Sequence, residues 1–411
     1  MGKNQIGYMR NAVSRTDNSD WRFATTTHFN VLDNKPVTTS KTLIFSKLSP
    51  HQLLQANYRT IKKSLDNEIE AALIDEHYTV SIRRGPEKSK KKYQWDFYLE
   101  DYLSVELWLN SRAPKQYDKK VGKILDLENF RVVNRTYKIG EINNRGYVIE
   151  NASPISSTKI QLDENYQPLN LTMAGVFDIS ISDRKRATSL SNIAGKNSLF
   201  IPLDQRIVHP TGLSDLRLRI QLVDNKSDGI IETIPDTLSS FSDSTTDPNT
   251  IKSYLAETIR YPIHNPRLPN LDGNPTEVSS LSDINRLVNY VNSLLQYKEN
   301  KAVGSVLKSL ELGYGECTDF TDLFTTLARS HNIPARPVYG IAYKDGSRPG
   351  FMFHSWNEIY FQDQWIPIDA TWNQSPADAT HIALSDDQYS ALLLLSSTKS
   401  VQLIVESTIY D

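Results

Sequence analysis

The spacing of apolar residues changes once along this chain, and that change limits what it can fold into. Up to about residue 225, polar and apolar residues alternate with period two, as in Thr79-Val80-Ser81-Ile82-Arg83, Lys159-Ile160-Gln161-Leu162-Asp163 and Leu216-Arg217-Leu218-Arg219-Ile220-Gln221-Leu222. Such alternation puts every second side chain on one face and marks half-buried antiparallel strands. Turn clusters such as Asn143-Asn144-Arg145-Gly146 and Gly85-Pro86 separate the runs, and no fixed-period repeat joins them. Residues 1–225 are therefore expected to form a β-rich region, in one piece or two subdomains. One helical insertion is expected at Pro50–Asn57, where proline suits a first helical position. Lys88, Lys90, Lys91 and Lys92 read as a solvated hairpin tip.

Residues 226–250 are rich in Ser, Thr and Asp, with little to bury against the entropy of ordering them, and are expected to be a linker. Beyond the linker the period becomes 3.6. Ser282 is the expected cap of a helix carrying Ile284, Leu287, Val288, Val291, Leu294 and Leu295 on one face. Val303, Val306, Leu307 and Leu310 mark a second helix ending at Gly313. Phe320, Leu323, Phe324, Leu327 and Ala328 mark a third, which starts near Cys317 and stops before Pro334. Three strand-like runs follow, Arg336–Tyr343, His354–Phe361 and Trp365–Thr371, the last two joined by a short polar turn. The fold class is α+β, with residues 251–411 as the second domain.

Composition excludes several function classes. Lys and Arg number 46 against 48 Asp and Glu, a net charge of −2, which lacks the basic excess of a phosphate-tracking groove; nucleic acid is not an expected partner. The longest apolar run, Ala391–Leu395, falls far short of a membrane-spanning helix. The first thirty residues contain no apolar signal core, which fits either a cytosolic protein or a mature form without its leader. A single cysteine, Cys317, excludes internal disulfides and multi-cysteine metal sites.

That cysteine opens an amphipathic helix, where the positive end of the helix dipole favours a thiolate. Nucleophilic sulfur needs a base within reach and a third group to orient that base. His354 and Asp369 are the candidates. They lie on the two arms of the expected hairpin, and their positions relative to its turn call for a register offset or a diagonal approach. Along the middle strand His354, Trp356, Glu358 and Tyr360 share one face, which makes Trp356 the candidate wall of a substrate groove, while Glu358 is expected to pair with Arg336.

Four segments in order carry a resemblance: Gly313-Tyr-Gly-Glu-Cys317-Thr-Asp-Phe, Leu327-Ala-Arg-Ser-His-Asn-Ile-Pro-Ala-Arg336, His354-Ser-Trp-Asn-Glu358-Ile-Tyr, and Trp365-Ile-Pro-Ile-Asp369-Ala-Thr-Trp. Together they resemble the transglutaminase-like cysteine enzyme superfamily, over about Ser279 to Thr380. The resemblance implies a papain-like core of helices packed on an antiparallel sheet, with Cys317 as nucleophile, His354 as general base and acid, and Asp369 as the orienting carboxylate. Glu316 stands where Asp often precedes the cysteine, and Ala370 where Pro often follows the aspartate. The zinc-binding cysteine pairs of the glycopeptide-deglycosylating branch are absent.

The upstream β-rich region, with Asn4-Gln5-Ile6-Gly7-Tyr8 and Ala377-Asp378-Ala379-Thr380-His381-Ile382, resembles bacterial exported members of that superfamily. This implies a periplasmic or secreted protein, with a cytoplasmic one left open. The expected activity is acyl transfer on amide bonds of peptides or proteins through a thioester, ending in hydrolysis or transamidation, with no metal or organic cofactor. The Cys317 N–H and the hydroxyl of Tyr297 or Tyr314 are the candidate oxyanion donors. The rival reading is a non-catalytic binding or scaffolding protein that uses its β-rich region and carries a vestigial triad.

Overall fold

The computed structural model describes residues 5, 7–31, 35–62, 65–111, 114–152, 157–173, 177–190, 200–222, 237–239, 248–270, 280–299, 301–385, 391 and 401–410. The chain divides into two compact units, Met1–Lys196 and Asn197–Asp411. The protein is sheet-rich with few helices.

In the first unit, seven strands form one antiparallel meander in chain order: β1 (Gly7–Arg15), β2 (Trp21–Val31), β3 (Lys35–Phe45), β4 (Leu53–Lys62), β5 (Leu65–Ile74), β6 (His77–Arg84) and β7 (Glu87–Tyr93). The short helices α1 (Leu99–Tyr102) and α2 (Ser104–Ser111) lead into a second meander: β8 (Lys119–Asp126), β9 (Arg131–Asn143), β10 (Gly146–Ala152), β11 (Ser157–Leu162), β12 (Pro168–Met173) and β13 (Phe177–Ser180). Helix α3 (Arg184–Ala187) follows. Alternation fills the cores: Leu43, Phe45, Ile69, Val80 and Ile82 are buried in the first sheet, and Ile139, Ile149 and Leu162 in the second.

Two expectations fail in this unit. Most of Pro50–Asn57 is strand, not helix, because Leu53 pairs with Phe45 and is fully buried, and β4 is laddered on both sides, to β3 and β5. Ladders on both edges satisfy every backbone group, which a single helical turn cannot do. The lysines 88, 90, 91 and 92 lie along β7, not at the hairpin tip, which is Gly85-Pro86. Strand β7 ends the sheet, and charges along an edge strand discourage pairing with another chain.

The second unit contains β14 (Ile201–Pro202), β15 (Leu213–Leu222), β16 (Thr237–Ser239), α4 (Pro248–Ser253), α5 (Leu281–Leu294), β17 (Gln296–Tyr297), α6 (Val306–Leu312), β18 (Tyr314–Gly315), α7 (Cys317–Ser330), β19 (Ala335–Lys344), β20 (Gly350–Phe361), β21 (Gln364–Ile368), β22 (His381–Ser385) and β23 (Val401–Tyr410). The five-stranded sheet runs β14-β20-β19-β22 with β21 beside β20, and β15 lies between β16 and β23 in a separate sheet. The break therefore falls ahead of the expected residue 225. Alternation identifies β15 as a strand, but its partner β23 is at the other end of the unit. Apart from Thr237–Ser239 and residues 248–250, the expected linker lies outside the described residues.

Helix α5 is capped by Ser280, two residues earlier than expected from Ser282. The Ser280 hydroxyl accepts from the Asp283 N–H, and the Asp283 carboxylate accepts from the Ser280 N–H at 3.0 Å, closing a capping box that Ser282 has no acidic partner to close. Helix α6 starts at Val306, not Val303, because the Val303 and Gly304 N–H groups donate to the Asp319 carboxylate instead. It ends at Gly313, whose positive φ of 67° suits glycine.

Helix α7 is buried along nearly its whole length against the sheet. Leu323, Phe324, Leu327 and Ala328 join Ile284, Leu287, Val288 and Val291 of α5 and Ile359 of β20 in one core. Beside this apolar core runs a polar seam. Thr321 Oγ1 donates to Ser355 Oγ at 3.1 Å, and the Asn357 amide donates to the Thr321 carbonyl and to Thr325 Oγ1. The seam ties the helix that begins with Cys317 to the strand that carries His354.

Candidate active site

Cys317 is the first residue of α7 and is 7% exposed. The turn before it is built by Asp319, a fully buried carboxylate that accepts from the N–H groups of Val303, Gly304 and Glu316 and from Ser309 Oγ. Gly315 leaves room for this: a Cβ there would meet Asp319 Cβ at 2.5 Å. Asp319 was not singled out in the sequence, although the Glu316/Asp319 spacing is that of a helix N-cap and its third residue.

His354 faces away from the α7 seam, on the side of β20 opposite Ser355 and Asn357. Its Nε2 lies 2.8 Å from Asp369 Oδ2. Strand pairing explains the approach. Asn357 pairs with Ile368, and continuing that register sets Asp369 level with Trp356, one diagonal step from His354. The other oxygen, Asp369 Oδ1, accepts from the N–H groups of Thr371 and Trp372, so the carboxylate is fixed in rotation. With Nε2 given to the aspartate, Nδ1 is the nitrogen left for the sulfur, and Cys317 is near enough to the ring to favour its charged form.

The electrostatics follow. Burial works against a charge on His354, but the Asp369 carboxylate, through its charge and its hydrogen bond, overrides it, and with Cys317 adding to the effect the ring is pushed up to about 10. Burial alone would raise Asp369; His354 and His381 instead hold it far below the usual carboxylate range.

A second histidine completes the group. His381, on β22, places Nε2 3.2 Å from the same Asp369 Oδ2, and its Nδ1 lies 3.1 Å from the Asp378 carbonyl oxygen. The sequence marks its segment, Ala377-Asp378-Ala379-Thr380-His381-Ile382, but gives the histidine itself no role. The donor atoms of His354, Asp369 and His381 lie within 4.8 Å of one another, a spacing that suits a metal ion. The hydrogen bonds among them use the same lone pairs, and the arrangement is a chain of charges, not an ion's cage.

A cavity of about 420 Å³ opens beside His354, with Tyr297, Glu299, Met352, Trp372, Gln374 and Thr380 among its lining residues. Trp372 lies flat on the His354 ring, centroids 4.2 Å apart and planes 13° apart. Trp356, the expected groove wall, is instead 2% exposed and packed behind the site, edge-on to His381. It fits there because Gly340 on the neighbouring strand has no side chain: a Cβ at that position would meet the indole at 2.9 Å.

Of the two candidate oxyanion tyrosines, Tyr297 lines the cavity. Burial raises its phenol far above its usual value, with the negative charges of Cys317, Glu316 and Glu299 adding to the effect, so the hydroxyl keeps its proton. Tyr314 is on β18, its ring beneath the Lys298 ammonium at 4.3 Å, and is not part of the cavity wall. Glu358 pairs with Arg336 directly across β19 and β20, at 2.7 Å.

Residues 268–370 match the family model of the transglutaminase-like superfamily. Over that segment the sequence is similar to this superfamily. The matched stretch contains Cys317, His354 and Asp369 and ends one residue past the aspartate, so His381 lies beyond it. No curated protein matches the chain. Among solved structures, that of a candidate cysteine protease from Cytophaga hutchinsonii aligns at 18% identity and a TM-score of 0.25, over 40% of this chain and 54% of that one. The chain thus spans about half the length of that neighbour. Among the described residues no helix of the matched segment, or of the rest of the chain, is long and apolar enough to cross a membrane.

Proposed function

We propose that the transglutaminase-like core performs cysteine-dependent acyl transfer on amide bonds of peptides or proteins. The observation that carries this reading is the grouping of Cys317, at the start of a helix and near enough to act on the His354 ring, with the hydrogen bond of that ring to the Asp369 carboxylate, beside an open cavity.

The chemistry balances as follows. The thiol proton passes to His354 Nδ1 ahead of the attack, a transfer that the ring's raised pKa favours, and Cys317 Sγ then attacks the carbonyl carbon of a bound carboxamide. The C=O π pair moves to oxygen, and the oxyanion is met by the Cys317 N–H and by the Tyr297 hydroxyl. As the C–N bond breaks, the His354 imidazolium gives its proton to the leaving amine, and a thioester remains. Water or a second amine then loses a proton to His354 and attacks the thioester carbon, and the C–S bond breaks to return the thiolate. Asp369 holds the ring in the tautomer that directs Nδ1 at sulfur throughout. Trp372, covering one face of the ring, keeps bulk water from it and supports its positive charge.

Alkylation and product analysis together test the proposal. Iodoacetamide should label Cys317 at pH 6 at least ~10-fold faster in the native protein than in His354→Ala, since the thiolate depends on the ring as its proton acceptor. Equal rates would remove the activated nucleophile. Mass spectrometry of a glutamine- and asparagine-containing peptide library incubated with the protein and a primary amine then separates amine incorporation from loss of ammonia or cleavage.

A further inference from the structure

Outside the three groups of the proposed reaction, the buried polar side chain with the most definite chemistry is His381, at the start of β22. It is 2% exposed, and both its ring nitrogens face acceptors. Nε2 faces Asp369 Oδ2 at 3.2 Å, and Nδ1 faces the Asp378 carbonyl oxygen at 3.1 Å, with Asp378 Oδ1 at 3.4 Å. A neutral imidazole has one N–H and one bare lone pair, so in either tautomer one of these contacts would set a lone pair against an oxygen. Two hydrogen bonds to two acceptors require an N–H on each nitrogen.

We infer that His381 is a positioning residue held as an imidazolium, which pins the Asp369 carboxylate beneath His354 and takes a share of its charge. The inference rests on the proposed roles of Cys317, His354 and Asp369.

The surroundings are built for a cation. The charged and titratable groups facing His381 are Asp369 at the end of β21, Asp378 in the loop before β22, and His354 on β20; Trp356 and Trp372 complete the ring's enclosure. Asp378 is itself anchored, its carboxylate accepting from the Thr380 N–H and hydroxyl and from the Gln374 amide. Burial disfavours a charge on His381, and the hydrogen bonds to Asp369 and Asp378 outweigh it.

The arrangement has a chemical consequence. Asp369 Oδ2 is shared by two imidazole N–H groups, and its Oδ1 by two backbone N–H groups, so four donors draw on one carboxylate. His354 therefore feels less of the aspartate's charge than it would from an unshared carboxylate. A second cation whose ring centroid is 5.7 Å away also opposes its protonation directly. A ring that holds its proton too firmly is a poor acid toward a leaving amine, and His381 moves His354 back toward the range in which it can both take and give a proton.

Nitrogen-15 NMR of the full chain with labelled histidine tests this, with assignments from single His variants. At pH 7 both ring nitrogens of His381 should carry protons; a bare nitrogen on that ring overturns the inference without any variant being made. In His381→Gln the neutral form of His354 should fall several-fold at a pH where native His381 still carries both ring protons, because the opposing cation is gone. An unchanged or increased neutral fraction overturns it as well. Iodoacetamide labelling separates this from the proposed function: if Cys317 labelling ignores His354, the reaction itself fails, whereas His354-dependent labelling with a neutral His381 sinks only the present inference.

Discussion

Asn357 donates its side-chain amide to Thr325 Oγ1 at 2.7 Å, deep between the sheet and α7. The same amide reaches the carbonyl of Thr321, and Ser355 meets the Thr321 hydroxyl, so the strand residues flanking Trp356 grip the helix in the turns after Cys317. Shape alone lets a helix slide or roll on a sheet; these bonds set its position along the strand. Asn357→Ala should cost about 2 to 4 kcal/mol, for a cavity and for the Thr321 carbonyl and Thr325 hydroxyl oxygens that lose their donor. Urea unfolding would give the stability loss, and His354-dependent alkylation of Cys317 should fall with it. A variant of wild-type stability would mean that the seam is passive.

The His354–Asp369 pair gives stability a definite pH dependence. His354 has its folded pKa raised to about 10, so its contribution is complete below its unfolded value, near 6.5, and is lost as pH rises through about 10. Asp369 is depressed, so its contribution is present above the unfolded value and is lost in acid, as pH falls through the folded one. The pair is therefore worth most between the two unfolded values, roughly pH 4 to 6.5. Melting temperature should decline from pH 6.5 toward 10 more steeply in the native protein than in Asp369→Asn, which lacks the charge that raises the ring. Parallel curves would show that the pair is not ionised in the folded state.

The Arg336–Glu358 pair predicts a different pattern. Both side chains are largely buried, and the guanidinium also lies 4.0 Å over the Trp365 ring. Removing one partner strands a charge, at a cost of about 3 to 5 kcal/mol, while replacing both with apolar residues costs much less. A double-mutant cycle with Arg336→Leu and Glu358→Leu should therefore be strongly non-additive, with the double variant more stable than Glu358→Leu's partner variant Arg336→Leu alone. Additive losses would mean that the two groups are held by other neighbours.

What the sequence made legible was what local spacing encodes. Period two located β6, β11 and β15, and period 3.6 located α5, α6 and α7, since these patterns depend on neighbours a few residues apart. The order of Cys317, His354 and Asp369 was also legible, because hairpin and helix-start geometry are local. Partners far along the chain were not. The pairing of β15 with β23, which puts residues 200–222 in the second unit, leaves no trace in either strand. His381 is adjacent to the site only because β22 pairs with β19 in a register that sets His381 against Ala342. Trp356 is the expected groove wall and Trp372 is the one that lines the cavity, because a strand pattern gives the face of a side chain but not what covers that face.

Tyr297 is expected to act on the oxyanion and not on the thiol. It reaches the cavity from β17, which pairs in parallel with β18 immediately before Cys317, so its position is tied to the same turn. Tyr297→Phe should leave iodoacetamide labelling of Cys317 within about twofold, since alkylation forms no oxyanion. It should slow acylation by p-nitrophenyl acetate by about 100- to 1,000-fold, the range for removing one donor. Equal loss in both reactions would move the tyrosine from the oxyanion to the thiol.

Gly340 makes the sharpest structural prediction, because it stands where three parts of the site meet. It pairs with His354 on β20 and with Ala383 on β22, and the Trp356 indole lies across it. A Cβ there would run into the Ile382 carbonyl oxygen as well as the indole, and a backbone oxygen cannot swing aside as a flexible side chain can. Gly340→Ala must therefore push β22 from β19 or expel Trp356, and either movement draws His381 from Asp369. The expected result is a loss of about 1 to 3 kcal/mol, the usual cost of overpacking, with His354 titration altered in the same variant. Gly346, on the open turn between β19 and β20, is the control: its Cβ would come no closer than 3.9 Å to the Arg348 oxygen, and Gly346→Ala should change neither stability nor titration. Wild-type behaviour of Gly340→Ala would show that the sheet yields without cost, and that the two histidines are not held by its spacing.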